Sequence, residues 1–161
     1  MKPSRLLTLA AVILVACSTL VLAQEKPWFD LQNCSFCKHL TTDPKLMENM
    51  TWDHYDISNG VISVTTVNPE FMASYKKAMD EMEKVGAEMT KGKTDVYMCG
   101  NCEYYGKMMQ AGVKFEYVPT KTGVIVLFTS DKPEVIDMIK KYGQRNREEL
   151  AKWEAQEKAK E

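Results

Sequence analysis

A chain of 161 residues, 45% hydrophobic and 27% charged, has the makeup of one ordinary globular domain, which excludes a disordered, collagenous or multi-pass membrane protein. Its formal net charge of −1 becomes −3 once Lys2 and Arg5 are removed with residues 1–23, so no basic surface is left for phosphates and nucleic acid is not an expected partner.

Residues 1–23 read as an export signal peptide. Lys2 and Arg5 form a positive n-region, Leu6 to Val15 an apolar h-region, and Val21-Leu22-Ala23 precedes a cut that leaves Gln24 first. Two other readings share the stretch. Leu14-Val15-Ala16-Cys17 resembles a bacterial lipobox, which would lipidate Cys17 and tether a lipoprotein to a membrane, and the run from Leu6 to Ala23 is nearly long enough to remain in the bilayer. The run stays apolar through Leu20-Val21-Leu22, past the point where a lipoprotein turns polar, and this favours simple cleavage. The expected destination is periplasmic or extracellular, with no membrane contact beyond that anchor.

The remainder reads as one α+β domain over 24–153 followed by a polar tail, 154–161. After Cys34-Ser-Phe-Cys37, Asp43-Pro44 opens a short helix through Met50, Trp52 to Ile57 forms a strand, and Ser58-Asn59-Gly60 turns into a second strand of β-branched residues. Asn68 then caps a helix from Pro69 to Met89. Met72, Tyr75, Met79, Met82, Gly86 and Met89 give that helix one apolar stripe, which is expected to pack on a sheet. Asp95 to Met98 reads as a strand running into Cys99-Gly-Asn-Cys102. A helix from Glu103 to Ala111 follows, stopped at Gly112, then a strand from Val113 to Val118 and a turn from Pro119 to Gly123. The last helix begins near Pro133 with Asp131 near its cap, carries Ile136, Ile139, Gly143, Leu150 and Trp153 on one face, and frays from Glu154 onward.

Two segments of this order match each other. From Gly60 the chain reads GVISVTTVNPEFMASYKK, and from Gly123 it reads GVIVLFTSDKPEVIDMIKK, in register apart from Lys132. The expected architecture is therefore an internal duplication of a unit containing a C-x-x-C pair, a short helix, a β-hairpin and a long helix, over about 34–92 and 99–153. One hairpin and one helix bury too little to stand alone, so both units are expected to share a four-stranded antiparallel sheet covered by helices.

Cleavage after Ala23 leaves Cys34, Cys37, Cys99 and Cys102, an even number in an oxidising compartment, and three readings follow. Two pairs supply the four thiolates of a tetrahedral zinc or, less readily, Cu(I) site, and a twofold relation between the halves would bring them together. The same cysteines form disulfides that staple a modest core. In the third reading Cys99 and Cys102 act as nucleophile and resolving thiol of a thiol-disulfide oxidoreductase. From Asp95 to Val118 the chain resembles the local pattern of glutaredoxins and thioredoxins, which implies a depressed thiol pKa at the helix start. The resemblance ends there, because a hairpin and helix follow where those folds place a further strand led by a cis-proline. Metal binding is the expected function, without catalysis.

Other residues invite chemistry less strongly. The ten methionines after Ala23 include Met79/Met82 and Met108/Met109, which suit Cu(I), although Met72, Met79, Met82 and Met89 fall on the stripe that the helix must bury. His39 and His54 each read first as a surface or hydrogen-bonded histidine, and His39, two residues past Cys37, is the better ligand candidate of the two. Tyr104 and Tyr105, next to Cys102, stand where they would shield a site from water, although aromatic residues on a short helix usually belong to the core. No nucleophile elbow, Walker loop, dinucleotide fingerprint or zincin motif occurs.

Overall fold

A computed structural model describes residues 26–159. The signal-peptide reading of 1–23, with Cys17, lies outside them. Among the described residues no helix is long and apolar enough to cross a membrane.

The chain is α+β. Strands β1 (Met50–Ile57), β2 (Gly60–Val67), β3 (Lys114–Thr120) and β4 (Gly123–Thr129) form one antiparallel sheet in the order β1-β2-β4-β3, with helices α1 (Met72–Thr90), α2 (Gly100–Gln110) and α3 (Pro133–Lys158). The two hairpins meet along their second strands. Their register is symmetric about the Ser63–Val126 pair, for Gly60 pairs with Thr129 as Gly123 pairs with Thr66. The glycines are matched in their surroundings as well. A Cβ on Gly60 would run into the Phe128 carbonyl and one on Gly123 into the Thr65 carbonyl, so each strand start demands a residue without a side chain.

Alternation along β2 sends Val61, Ser63, Thr65 and Val67 to one face, where all four are buried, and β4 sends Val126 and Phe128 to the same side. Helix α3 lies across that face through Val135, Ile139 and Tyr142, joined by Met108 of α2. Ile139 is 0% exposed, a burial that contributes about 1.5–3 kcal/mol. Ser63 is tolerated in this core because its Oγ accepts a hydrogen bond from Trp52 Nε1 at 2.8 Å. The opposite face carries Ile62, Val64, Ile125 and Leu127, half-buried side chains that belong to neither of the large core clusters. The helical cover expected for the sheet therefore gathers on one face.

Four local expectations differ from the structure. The short helix from Asp43-Pro44 to Met50 is a turn followed by a single 3-10 turn, Met47–Asn49, and β1 starts at Met50 because Met50 already pairs with Val67. The stripe of α1 reaches the sheet side only near its start, where Tyr75 and Ala78 meet Leu46 and Val67, and the helix otherwise lies along the 3-10 segment Cys37–Thr41. Asp131 does not cap α3. Its carboxylate pairs with Lys114 Nζ, while Ser130 Oγ accepts the Lys132 backbone N–H at 3.2 Å. Helix α3 also continues through Lys158 into the segment expected to fray, since alanine, glutamate and lysine are all good helix formers.

Candidate metal centre

Both C-x-x-C pairs sit at turns whose backbone is fixed by the flanking chain. At the first, Asp30 Oδ1 accepts the backbone N–H groups of Gln32 at 3.1 Å and Asn33 at 2.8 Å, and Cys34 N–H returns to Asp30 O at 3.2 Å. These bonds hold the Asp30 carboxyl below its usual range. Lys38 N–H then reaches Cys34 O at 3.1 Å and the chain enters the 3-10 turns from Cys37. At the second pair Cys99 is the N-cap of α2 with extended backbone, φ −70° and ψ 171°, so Cys102 falls in the first helical turn.

The strand expected over Asp95 to Met98 is absent; this segment is irregular, and its Tyr97 carbonyl accepts the Ser35 N–H at 2.8 Å. That bond ties the first turn to the approach of the second. The N-terminal segment adds two more bonds, from Gly100 N–H to Pro27 O at 3.0 Å and from Asn101 N–H to Trp28 O at 2.9 Å. Loop-to-loop pairing, rather than a sheet, thus brings together cysteines more than sixty residues apart.

The four sulfurs converge, all within 4.8 Å of one another. Cys34 Sγ lies 3.6 Å from Cys102 Sγ, and Cys37 Sγ lies 3.7 Å from Cys99 Sγ and 3.5 Å from Cys102 Sγ. A tetrahedral zinc with sulfurs at about 2.3 Å sets its ligands about 3.8 Å apart, so the cage has the size of the ion. All four are free thiols, and the disulfide reading finds no bonded pair. Cys34 and Cys99 are 0% exposed and Cys37 8%, while Cys102 is the partly exposed member, and Leu31 and Phe36 pack against them.

Crowding separates the thiols electrostatically. The hydrogen bond shared with Cys102 lowers Cys34, and contact with Cys102 lowers Cys99 to about 6. The first cysteine of each pair also accepts the backbone N–H of the second, Cys37 to Cys34 and Cys102 to Cys99. Cys102 is raised by its bonds to Cys34, Cys37 and Cys99; Cys37 is lowered by Cys102 but raised overall by Cys34 and Cys99. The four crowded thiols titrate as one coupled group, and a dication would displace their protons.

The other candidates lie elsewhere. His39 is not a member of the sulfur cluster. His54 is buried on β1 and faces Asn146 of α3, with Nε2 at 3.1 Å from Asn146 Nδ2. Tyr104 and Tyr105 pack into the sheet-side core, Tyr104 donating to Met138 O at 3.1 Å and Tyr105 meeting the Tyr117 hydroxyl, instead of screening the sulfurs. Met108 is a core residue and Met109 is 60% exposed, which is no copper pair.

One group escaped the pattern of the sequence. Asn146, 0% exposed, joins Trp28, Asn101 and His54 in a buried polar network beside the second turn. Its signal was a polar residue at the place in the α3 stripe between Gly143 and Leu150 where an apolar one belongs.

No family model, curated protein or solved structure matches this chain.

Proposed function

We propose that the protein is an exported metal-binding domain that holds one zinc ion through Cys34, Cys37, Cys99 and Cys102. The observation that carries this reading is the convergence of four largely buried sulfurs, two from each pair, into a cage of zinc-sized spacing. Zinc is preferred to copper because the cage offers four thiolates in a tetrahedral set and no thioether. The ion would tie the turn at Cys34 to the start of α2, so that part of its binding energy is folding energy. Export rests on residues 1–23, with Lys2, Arg5 and the apolar run after them.

The thiol-disulfide alternative fits less well. A dithiol of that kind needs an accessible nucleophile, yet Cys99 is fully buried, Cys102 is the more exposed of the two, and both sulfurs adjoin the first pair. The fold is further read as a duplication of one unit. The symmetric β2–β4 register, the matched Gly60 and Gly123 contacts, and the same N–H to sulfur bond within each pair support that reading.

Elemental analysis combined with thiol counting tests the function. One zinc per chain is expected, with four cysteines titratable only after chelation. Metal-free chains with two inert disulfides would leave a stapled domain, and ready exchange of Cys99–Cys102 with dithiols would favour redox work.

A further inference from the structure

Asn146 is built into the interior of α3 with every polar atom used. The indole Nε1–H of Trp28 can only donate, so the amide atom 2.8 Å from it is the acceptor Oδ1, and this one partner settles the orientation. Oδ1 also accepts from Asn101 Nδ2 at 2.7 Å. Nδ2 is then left facing His54 Nε2 at 3.1 Å, which makes Nε2 an acceptor and places the imidazole proton on Nδ1. Asn101 is a residue of the second C-x-x-C turn, and its backbone N–H is bonded to Trp28 O at 2.9 Å.

We propose that Asn146 is a positioning residue of the metal centre, holding the Cys99–Cys102 turn in its metal-ready shape through Asn101 and Trp28, and that it does so only while His54 is neutral. The proposal deepens the metal-binding reading and rests on it. A protonated His54 would set Nε2–H against the Asn146 NH2 group, donor to donor. Turning the amide round relieves nothing, because Nδ2 would then meet the Trp28 indole donor and one conflict replaces another. With His54 neutral the network leaves only the buried Nδ1 of His54 without a partner, and protonation adds a second unmet donor at Nε2.

The surroundings of His54 favour the neutral ring. From α3, Arg147 brings Nη1 within 3.4 Å of His54 O, and the ring of Tyr142 lies 6.0 Å from the imidazole. Asp56 on β1 is engaged with Arg147 at 3.0 Å, and Trp52, whose ring is 5.2 Å away, carries no charge. Burial and then Arg147 push His54 down to about 4. By linkage, if bound metal tightens the Asn101 turn, the same tightening holds His54 neutral, and protonation of His54 on acidification toward pH 4 weakens the metal in return.

The test uses the full chain, with zinc affinity measured by chelator competition between pH 7.5 and 3.5 and the ligand field read from the visible bands of Co(II). Asn146→Leu is expected to bind zinc 10–100-fold more weakly at pH 7.5, the usual consequence of losing a group that orients metal ligands, and to alter the Co(II) bands. His54→Gln keeps an acceptor for Asn146 Nδ2 and has no proton to gain. It should match the wild type from pH 7.5 to about 5 and lose affinity less steeply below that, as pH approaches the His54 value of about 4, by up to about tenfold per pH unit, the limit for one proton. Should Asn146→Leu fail to fold, the His54→Gln profile decides alone. Equal affinity in Asn146→Leu, or superimposable pH profiles for wild type and His54→Gln, would overturn the proposal and leave the metal site standing. A wild-type chain that binds neither zinc nor Co(II) through sulfur would remove the metal reading itself.

Discussion

Replacing His54 with glutamine removes the one buried histidine of the sheet core, and its effect is most informative as a function of pH. His54 is 4% exposed, and burial, with Arg147 adding to it, brings its pKa to about 4 from an ordinary value of 6.5. Because the folded value is the lower one, the neutral ring is what folding favours. Its contribution is complete above pH 6.5, declines as pH falls, and is lost once pH passes below about 4. The difference between the two values corresponds to about 3 kcal/mol. Urea unfolding of zinc-saturated wild type and His54→Gln across pH 7.5 to 4 measures it, since proton competition at the sulfurs is common to both chains and cancels in the difference. The stability gap between them should move by about 3 kcal/mol against the wild type over this range. Parallel stability curves would show that His54 gains its proton without cost, and would refute the account of its burial.

Three further outcomes follow from the packing. Gly60→Ala and Gly123→Ala should each destabilise the fold by about 1–3 kcal/mol, because the new Cβ meets the Phe128 or the Thr65 carbonyl, and thermal melts would show it; unchanged melting of either would remove the close approach. Cys34→Ser and Cys99→Ser, one change in each pair, should weaken zinc binding to a similar degree in a chelator titration, whereas an inert substitution in one pair would separate that pair from the site. Ile139→Ala should lower stability by about 2–5 kcal/mol in denaturant unfolding while leaving zinc stoichiometry unchanged, and a loss below 1 kcal/mol would contradict its burial under α3.

The sheet was legible because its signals are local. Gly60 and Gly123 open matching runs of β-branched residues, and a turn precedes each, so both hairpins could be placed by pattern alone. The stripe on α1 was equally plain, but periodicity says that a face is buried and not what buries it. The 3-10 segment from Cys37 takes the place of the sheet along most of that helix. The four cysteines could be named from spacing, whereas their convergence depends on the Ser35–Tyr97 and Asn101–Trp28 backbone bonds, which no sequence pattern announces. Asn146 shows the same limit. A polar residue in an apolar stripe marks a buried network, yet its partners come from the N-terminal segment, α2 and β1, far apart in the chain.

X-ray absorption at the zinc edge, on the protein recovered from its native host without added metal, tests the central claim most directly. Four sulfur ligands at about 2.3 Å, with one zinc per chain, is the result expected from the cage of Cys34, Cys37, Cys99 and Cys102. A first shell of nitrogen and oxygen, or a zinc-free chain with its cysteines joined as disulfides, would contradict it.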